Sequence, residues 1–422
     1  MQKIRIGDYF DVYDGAHATP KKTDEGPVYL GIDSVTNDGK INPEGFAHLS
    51  VEDYQKWSKR VKPQYGDLVF SYEATLGRYA LIPNGFYGCL GRRLALLRAK
   101  TDKINVKWLY YYFLSPEWTA YIINHTVKGS TVNRISVEDF PDFEIPYTDK
   151  TVQDSIVKVL SAIDAKVDLN KAVNDNLQHQ LKLMYDYWFT QFDFPDENGK
   201  PYRASGGAMV WNEQLKCEIP HDWSIGTVSD CVAKISTGLN PRDNFVLGNG
   251  SIRYITVKNL TTTGSLDFSG CDMIDEEARA IVHRRSDISV GDILFASIAP
   301  LGRCYLIQQE PTDWDINESV FSIRSKTDKI TPEYLYLFFQ SDSFIQKATN
   351  TSTGSIFKGI RINTLLDTKM IVPELQVSRS FTSAIKPLLA EINNNSSETA
   401  KLTALRDWLL PMLMNGQATI SD

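Results

Sequence analysis

The residue types that most often perform chemistry occur in this sequence, but none stands in a pattern that would make it reactive. The five cysteines are scattered and form no CxxC pair, so a thiolate zinc site is not predicted. The six histidines lie in unlike contexts and are interpreted as surface or structural residues. No GxxxxGK[ST] loop for phosphates and no HExxH metal motif is present. The sequence therefore predicts no catalytic residue, no bound metal and no cofactor.

The usual active-site tetrapeptide for methyl transfer to adenine is also missing. Neither Asn-Pro-Pro-aromatic nor Asp-Pro-Pro-aromatic occurs, and the segment GLNPRD around Pro241 is not a substitute. A chain that lacks every common active-site pattern is more typical of a recognition scaffold than of an enzyme.

Composition and charge limit the remaining classes of protein. The chain has 422 residues, 42% of them hydrophobic, which is enough for two or three domains. No signal peptide or membrane span is predicted, and the few cysteines suggest a reduced, cytoplasmic protein. A net charge of −7 argues against a free-standing nucleic-acid binder, although it leaves room for local basic patches or basic partners.

The chain contains an internal repeat. TDKINVKWLYYYFLS begins at Thr101 and TDKITPEYLYLFFQS begins at Thr327. The same offset of about 225 residues aligns Tyr29 with Tyr254 and continues over about 150 residues, which indicates a duplicated domain. The further aligned pairs are Gly66-Asp67 with Gly291-Asp292, Leu76-Gly77-Arg78 with Leu301-Gly302-Arg303, and Gly129-Ser130 with Gly354-Ser355.

Each copy is predicted to mix helices and strands. The runs GDLVFSY and GDILFAS are apolar after a Gly-Asp turn, as expected for buried strands. The repeated stretch is predicted to be helical, with Asn105 or Thr331 as cap and Pro332 at the first helical position. Its aromatic residues are interpreted as core, with stacking against nucleobases as the alternative.

A heptad pattern follows each copy and predicts a long helix. In both helices the apolar seam is interrupted by asparagine at its middle, at Asn170 and Asn395. If the helices pair antiparallel, the two asparagines meet and fix the register. The alternative is two ordinary amphipathic helices, each covering its own domain. The first seam consists of Ile156, Leu160, Ile163, Val167, Asn170, Asn174, Leu177, Leu181, Met184 and Trp188.

The length of this seam has a consequence for recognition. From Ile156 to Trp188 a helix is about 48 Å long, whereas one turn of B-DNA covers about 34–36 Å. Two domains joined by such helices suit the reading of two half-sites with an unread gap. In the second helix, Pro387 and Pro411 predict a kink, or a late start and an early end. The pair Asn415-Gly416 predicts its C-terminal end.

The sequence resembles a known family, the specificity (S) subunits of type I restriction-modification enzymes. Three stretches carry the resemblance: the connection from Phe192 to Trp223, the first long helix from Ile156, and the closing helix from Leu405. Together with the repeat they cover essentially the whole chain.

The resemblance implies an α+β fold with two duplicated α/β target-recognition domains, separated by two long antiparallel coiled-coil helices about a pseudo-twofold axis. The implied boundaries are target-recognition domain 1 at 1–148, conserved helix 1 at 149–191, the connector at 192–222, target-recognition domain 2 at 223–374, and conserved helix 2 with the C-terminal tail at 375–422.

The resemblance also implies partners. Each target-recognition domain would read half of a bipartite, asymmetric sequence in double-stranded DNA. Two modification subunits, which bind S-adenosylmethionine and methylate adenine, would dock on the helices, and restriction subunits would complete the complex. The chain itself would be non-catalytic.

Candidate DNA-binding residues lie in polar or basic loops, where cations can bind phosphates and hydroxyls or amides can read base edges. The alternative for each loop is a solvated surface, and one arginine of the pair Arg92-Arg93 could instead be an internal ion-pair partner. In the first copy the candidates are Thr19, Lys21, Lys22, Arg78, Arg92, Arg93, Lys128, Ser130, Thr131, Asn133 and Arg134. In the second copy they are Asn240, Arg242, Arg303, Thr353, Ser355, Lys358, Arg361 and Asn363.

Three other functions remain as alternatives. A self-sufficient DNA-binding regulator of the same fold would bind DNA tightly and specifically alone. A bifunctional methyltransferase with an unrecognised active site would turn over S-adenosylmethionine without a partner. A purely structural coiled-coil adaptor would not need two large domains.

Overall fold

The computed structural model describes residues 2–127, 132–351 and 359–420. The chain divides into two compact units. Unit 1 comprises Met1–Val167 with Ala400–Asp422, and unit 2 comprises Asp168–Thr399.

Unit 1 is built on a four-stranded antiparallel sheet and a three-stranded sheet that contains one parallel pair. In spatial order the four strands are Phe10–Asp14, Leu94–Ala99, Leu68–Ser71 and Tyr79–Leu81. The three strands are Ala47–His48, Thr23–Leu30 and Gly88–Leu90, and a separate pair joins Lys3–Arg5 to Glu144–Pro146. The α-helices of this part are Ile6–Tyr9, Val51–Trp57, Val106–Phe113 and Pro116–Asn124.

Unit 2 repeats this topology strand for strand. Its four-stranded sheet has the order Val232–Thr237, Val320–Ser325, Ile293–Ala296 and Cys304–Leu306. Its three-stranded sheet has the order Asp272–Ile274, Ile252–Ile255 and Trp314–Ile316, and Ser224–Thr227 pairs with Lys369–Val372. The helices are Val228–Cys231, Glu276–Ser286, Pro332–Gln340, Asp342–Thr351 and Ile362–Leu366, and a hairpin, Met209–Asn212 with Cys217–Pro220, has no counterpart in the described part of unit 1.

The repeated stretch forms a buried helix in each unit, as predicted. The side chain of Asn105 caps Val106–Phe113, and that of Thr331 caps Pro332–Gln340. The aromatic side chains of both helices are buried in the core, so their interpretation as core residues is confirmed and they are not available to stack on bases. The two Gly-Asp strands are also fully buried.

Two long helices complete the fold. The first long helix is Lys150–Tyr185 and the second long helix is Leu375–Met414. Within unit 2 their segments run antiparallel, since Asn170 lies beside Asn395 and Tyr185 beside Phe381. Within unit 1 their segments are also antiparallel, and Asp164 forms an ion pair of 3.1 Å with Arg406.

The predicted seam drifts by one residue in both long helices. In the first, Leu177 and Met184 are half-buried, whereas the residues that follow them, Gln178 and Tyr185, are buried. In the second, the offset of 225 residues from Ile163 and Met184 predicts seam positions at Leu388 and Leu409. These two are half-buried, and the buried leucines are Leu389 and Leu410, one residue further along. A straight helix has 3.6 residues per turn and therefore departs slowly from a strict heptad.

The second long helix includes both of its prolines. It begins at Leu375 and ends at Met414, so the predicted late start and early end at Pro387 and Pro411 are wrong. A proline in a helix removes one hydrogen bond, and packing of the apolar face stabilises the helix enough to continue through it. The predicted stop is confirmed, because the chain leaves the helix at Gly416 with a φ of 75°.

Candidate nucleic-acid interface

Four segments of unit 1 meet at one end of its sheets. The Gly15 N–H donates to the carbonyl of Leu94 at 2.8 Å, and the Tyr72 N–H donates to the carbonyl of Arg93 at 3.1 Å. The Tyr72 carbonyl in turn accepts from Ile135 at 2.7 Å. These backbone hydrogen bonds define the unit 1 loop surface, which consists of residues 15–22, 72–78, 91–93 and 132–135.

Unit 2 has a corresponding surface, although its first contact reaches Asn317, the counterpart of Gly91, and not the counterpart of Leu94. The Gly238 N–H donates to the Asn317 carbonyl at 3.1 Å, and the Ser297 N–H donates to the Ser319 carbonyl at 3.2 Å. The Ser297 carbonyl accepts from the Ile360 N–H at 2.9 Å. This contact is the counterpart, at an offset of 225 residues, of the one between Tyr72 and Ile135. The unit 2 loop surface consists of residues 238–245, 297–303, 317–319 and 359–361.

Most of the predicted binding residues that the structure describes lie on these two surfaces. Those that are exposed are Thr19, Lys21, Lys22, Arg92, Asn133, Arg134, Arg242, Arg361 and Asn363. Of these, Asn363 lies just outside the unit 2 loop surface, in the helix Ile362–Leu366. Those that are half-buried are Arg78, Arg93, Asn240 and Arg303. The structure thus brings together loops that are far apart in the sequence.

Six of the predicted residues lie outside the described residues. They are Lys128, Ser130 and Thr131 in the first copy, and Thr353, Ser355 and Lys358 in the second copy.

Arg78 and Arg303 hold equivalent turns inside their units. The guanidinium of Arg78 donates to the carbonyl of Ile32 at 2.8 Å and to the side-chain oxygen of Asn37 at 3.1 Å. That of Arg303 donates to the carbonyl of Leu260 at 3.4 Å, and burial lowers its pKa. A guanidinium has five N–H donors, so each arginine supports its loop and retains donors for a phosphate.

The adjacent arginines at 92 and 93 have different roles. Arg93 is half-buried, has a φ of 75°, and places its Nε 3.8 Å from the Glu73 carboxylate. Arg92 is exposed, and its backbone N–H donates to the Tyr29 hydroxyl at 2.9 Å. Of the two predicted alternatives, the geometry makes Arg93 the internal ion-pair partner and leaves Arg92 facing outward.

A buried carboxylate in each four-stranded sheet, at the end opposite the loop surface, was missed by the sequence reasoning. Asp67 accepts two hydrogen bonds from Arg98, at 3.0 and 2.7 Å, and Asp292 accepts two from Arg324, at 2.7 and 2.8 Å. The side chains of these aspartates are only 5% and 2% exposed. The repeated Gly-Asp dipeptide was the available signal, but its partners lie about 31 residues away on another strand.

A polar layer interrupts the apolar contact between the long helices in unit 2. The side-chain amide of Asn170 donates to Glu398 at 2.8 Å and, more weakly, to the backbone carbonyl of Asn395 at 3.5 Å. The Asn395 amide donates to the side chain of Asn174 at 3.0 Å, and the Asn174 amide donates to Ser396 at 3.1 Å. Each predicted register residue is therefore hydrogen-bonded to the opposite helix, although their side chains do not pair with each other.

The hydrogen bond between Asn174 and Asn395 is expected to be worth about 1 kcal/mol. A double-mutant cycle with Asn174→Ala, Asn395→Ala and the double variant, followed by denaturant unfolding, measures this coupling free energy. The control pair is Asn176 and Gln180, whose 2.7 Å hydrogen bond lies on an exposed helix face. Its coupling is expected to stay below about 0.5 kcal/mol. Equal coupling in both pairs would contradict a register role for the buried layer.

A serine, a histidine and an aspartate meet in unit 2 without forming a nucleophilic triad. Ser286 donates its hydroxyl proton to Asp315 at 2.6 Å, and the His283 Nδ1 lies 2.9 Å from the other oxygen of the same carboxylate. Burial raises the pKa of Asp315, and the contacts with Ser286 and His283 oppose that rise. Because the serine proton is directed to the carboxylate and not to the imidazole, this arrangement supports structure and does not activate a nucleophile.

Residues 2–127, 132–351 and 359–420 contain no group of three or more His, Cys, Asp or Glu side chains placed to hold a metal ion. Among the same residues no helix combines the length and the apolar character of a membrane span.

Comparison with known proteins identifies the family. A family described as "Type I restriction modification DNA specificity domain" matches residues 1–179 and 220–403. The chain therefore belongs to this family, and the resemblance predicted from the repeat and the long helices is confirmed. The matched ranges contain both duplicated parts of the chain.

Individual relatives agree with this assignment. The chain is similar to the specificity subunit of the type I restriction enzyme MjaIX from Methanocaldococcus jannaschii, with 22% identity over 90% of this chain and 83% of the relative. It is similar to the HindI specificity subunit from Haemophilus influenzae, with 19% identity over 90% of this chain and 93% of the relative. The crystal structure of the S subunit of a type I restriction-modification system from M. genitalium shares the fold, with a TM-score of 0.53, 16% identity and coverage of 100% and 96% of the two chains. The predicted fold class, a duplicated α/β domain with long helices, is confirmed.

Proposed function

We propose that this chain is the DNA-recognition subunit of a type I restriction-modification complex and that each loop surface reads one half of a bipartite, asymmetric target. It acts in the cytoplasm and performs no chemistry itself. Two modification subunits supply the S-adenosylmethionine and the adenine methylation, and restriction subunits complete the complex. Family membership supports the general role, and the loop surfaces support the division of the target into two halves.

The observation that carries this proposal is the duplication of the scaffold, with different side chains at the turns that the scaffold supports. The sheets and the backbone contacts that support the loops recur at an offset of about 225 residues, so both units hold their loops in a similar way. The residues on the loops differ, because the segment Gly91–Arg93 of unit 1 corresponds to Asn317–Ser319 of unit 2. Equivalent supports with different side chains are suited to reading two different base sequences.

The distribution of charge fits a shared interface. The chain has a net charge of −7, which opposes binding to a polyanion when the chain is alone. Exposed cations are nevertheless placed on the loop surface of unit 1, at Lys21, Lys22, Arg92 and Arg134. These cations would fix the position of the phosphates, and partner subunits would supply the remaining positive charge.

Long-read methylation mapping tests the proposal directly. Cells that produce the chain together with its modification subunit are expected to methylate adenine in a motif of two different half-sites with an unread gap. Cells that produce the modification subunit alone are the control and are expected to show no such motif. Methylation of a continuous motif, or of the same motif in the control, would contradict the division between two loop surfaces.

The purified chain distinguishes the alternative functions. Alone, it is expected to transfer no methyl group from labelled S-adenosylmethionine, to cut no DNA, and to gain sequence-specific binding only when the modification subunit is added. Tight and specific binding by the isolated chain would favour a stand-alone regulator. Methyl transfer by the isolated chain would favour a bifunctional methyltransferase.

A further inference from the structure

One tight turn on each loop surface has the same geometry but opposite charge in the two units. The turns comprise residues 91–94 in unit 1 and 317–320 in unit 2. In both, the N–H of the fourth residue donates to the carbonyl of the first, at 3.4 Å in unit 1 and 3.3 Å in unit 2. The second residue, which stands at the tip, is Arg92 in unit 1 and Glu318 in unit 2, and both are exposed.

The contacts on both sides of the tip confirm that these positions are equivalent. The third residue of each turn accepts a backbone hydrogen bond from the loop that follows the Gly-Asp strand, and this contact joins Tyr72 to Arg93 and Ser297 to Ser319. A buried tyrosine lies beneath each tip. Tyr29 accepts the Arg92 N–H, and the pKa of its counterpart Tyr254 is raised by burial first and by nearby carboxylates, Glu318 among them, after that.

The backbone contacts hold each tip in place without help from the side chain at its second position. The hydroxyl of Tyr254 donates to the carbonyl of Leu239 and also contacts the Glu318 carboxylate. Because a carboxylate has about four acceptor sites, Glu318 keeps free acceptor capacity beside that phenol. The Arg92 side chain likewise extends from a turn that is closed by main-chain atoms. Both side chains are therefore available to an outside ligand at a fixed position.

Charge then limits what Glu318 can bind on a surface that faces DNA. A carboxylate is repelled by phosphates, so an acidic residue at the tip would weaken binding to the backbone of any sequence. It is compensated only by a base that presents a hydrogen-bond donor. In the major groove cytosine and adenine both present an amino group, but that of adenine lies beside the N7 acceptor, which repels a carboxylate, so cytosine is the better partner. An arginine at the same position has the opposite preference, since guanine presents the O6 and N7 acceptors to it.

We propose that Arg92 and Glu318 are equivalent base-reading positions, at which unit 1 reads a guanine through arginine donors and unit 2 reads a cytosine through carboxylate acceptors. This inference rests on the proposed function, because it requires that the loop surfaces face DNA. It adds the identity of one base in each half-site.

The experiment uses the full chain assembled with its modification subunit, and duplexes that carry the mapped target or a single base-pair change. Arg92→Ala is expected to reduce discrimination at one guanine of one half-site about tenfold or more, with no change in the other half-site. Glu318→Ala is expected to do the same at one cytosine of the other half-site. Glu318→Arg, which gives unit 2 the residue of unit 1, is expected to shift the preferred base there from cytosine to guanine.

Matched controls come from the opposite ends of the same strands. Lys103 follows the strand Leu94–Ala99 and Glu310 precedes the strand Trp314–Ile316, so both are charged and exposed but lie away from the turns. Lys103→Ala and Glu310→Ala are expected to leave discrimination at every position of the target unchanged.

Three results would overturn the assignment. A uniform loss of affinity for all duplexes with Arg92→Ala, together with a smaller salt dependence, would make that residue a phosphate contact. Unchanged discrimination with Glu318→Ala would make that residue a surface or partner contact. The third result is that the wild-type complex recognises no bipartite target, in which case the proposed function fails as well. The first two results leave the wild-type target intact and are therefore distinguishable from this failure.

Discussion

Exchange of residues 1–148 for the corresponding domain of another specificity subunit is expected to replace one half-site of the target and to retain the other. The reason is that unit 1 encloses its own core and carries its own loop surface. Trp108, Trp118 and Phe140 are fully buried within it, and the four loop segments are joined by hydrogen bonds inside the same unit. Methylation at the original sites should fall to background.

The structure indicates how the exchange should be designed at its boundary. The backbone N–H of Asn105 donates to the side chain of Gln153 at 2.7 Å, and the Tyr111 hydroxyl donates to Asp164 at 2.6 Å. Gln153 and Asp164 belong to the first long helix, which the exchange retains. A donor domain with tyrosine at the equivalent of Tyr111 keeps both contacts, whereas one with phenylalanine leaves the Asp164 carboxylate with one donor fewer.

The reciprocal exchange is the control for this prediction. Replacement of residues 223–374 is expected to change the other half-site only. Methylation mapping measures the target motif of each hybrid. Simultaneous change of both half-sites in either hybrid would mean that the two units do not read DNA separately.

Asp292→Asn is expected to lower the free energy of unfolding of unit 2 by about 3 kcal/mol, the low end of the range for breaking a buried ion pair. The substitution preserves the size of the side chain but removes its charge and replaces an acceptor by a donor. Besides the two hydrogen bonds from Arg324, the Asp292 carboxylate accepts from the backbone N–H of Ser289 at 3.0 Å and from the hydroxyl of Ser322 at 3.3 Å. An amide cannot satisfy all of these donors.

The magnitude follows from the unequal exposure of the two partners. The Asp292 side chain is 2% exposed and therefore loses nearly all contact with water, whereas Arg324 is 36% exposed and can be partly resolvated once the pair is broken. Arg324 also donates to the backbone carbonyl of Asp287 at 2.7 Å, a contact that survives the substitution. The penalty comes mainly from the unsatisfied groups around the new amide.

Hydrogen exchange of backbone amides, followed peptide by peptide, measures the effect within each unit. Asp292→Asn is expected to reduce protection in the strands of unit 2, and Asp67→Asn to do so in unit 1. Asp328→Asn is the matched control, since Asp328 is exposed, and its effect is expected to stay within about 0.5 kcal/mol. An effect of Asp292→Asn that is as small as the one expected for this control would contradict the role assigned to the buried ion pairs.

The sequence by itself determined the features that depend on neighbouring residues or on repetition. The offset that aligns Tyr29 with Tyr254 identified the duplication, and the caps Asn105 and Thr331 located the repeated helices. The 3-4 spacing of apolar residues predicted the long helices, because a helical face is a local, periodic property of the chain. Family resemblance then supplied the general role.

Only the tertiary structure decided which of the polar residues point inward. Arg92 and Arg93 are identical neighbours, yet Arg92 is exposed at the tip of a turn, whereas Arg93, which has a φ of 75°, lies beside Glu73. Asp67 was recognisable as a turn residue, but its partner Arg98 was not, since strands distant in sequence must pair before the two meet. Local patterns fix elements, whereas the orientation of a charged side chain depends on segments that the fold brings to it. The two loop surfaces, which are assembled from such segments, could therefore be located only in three dimensions.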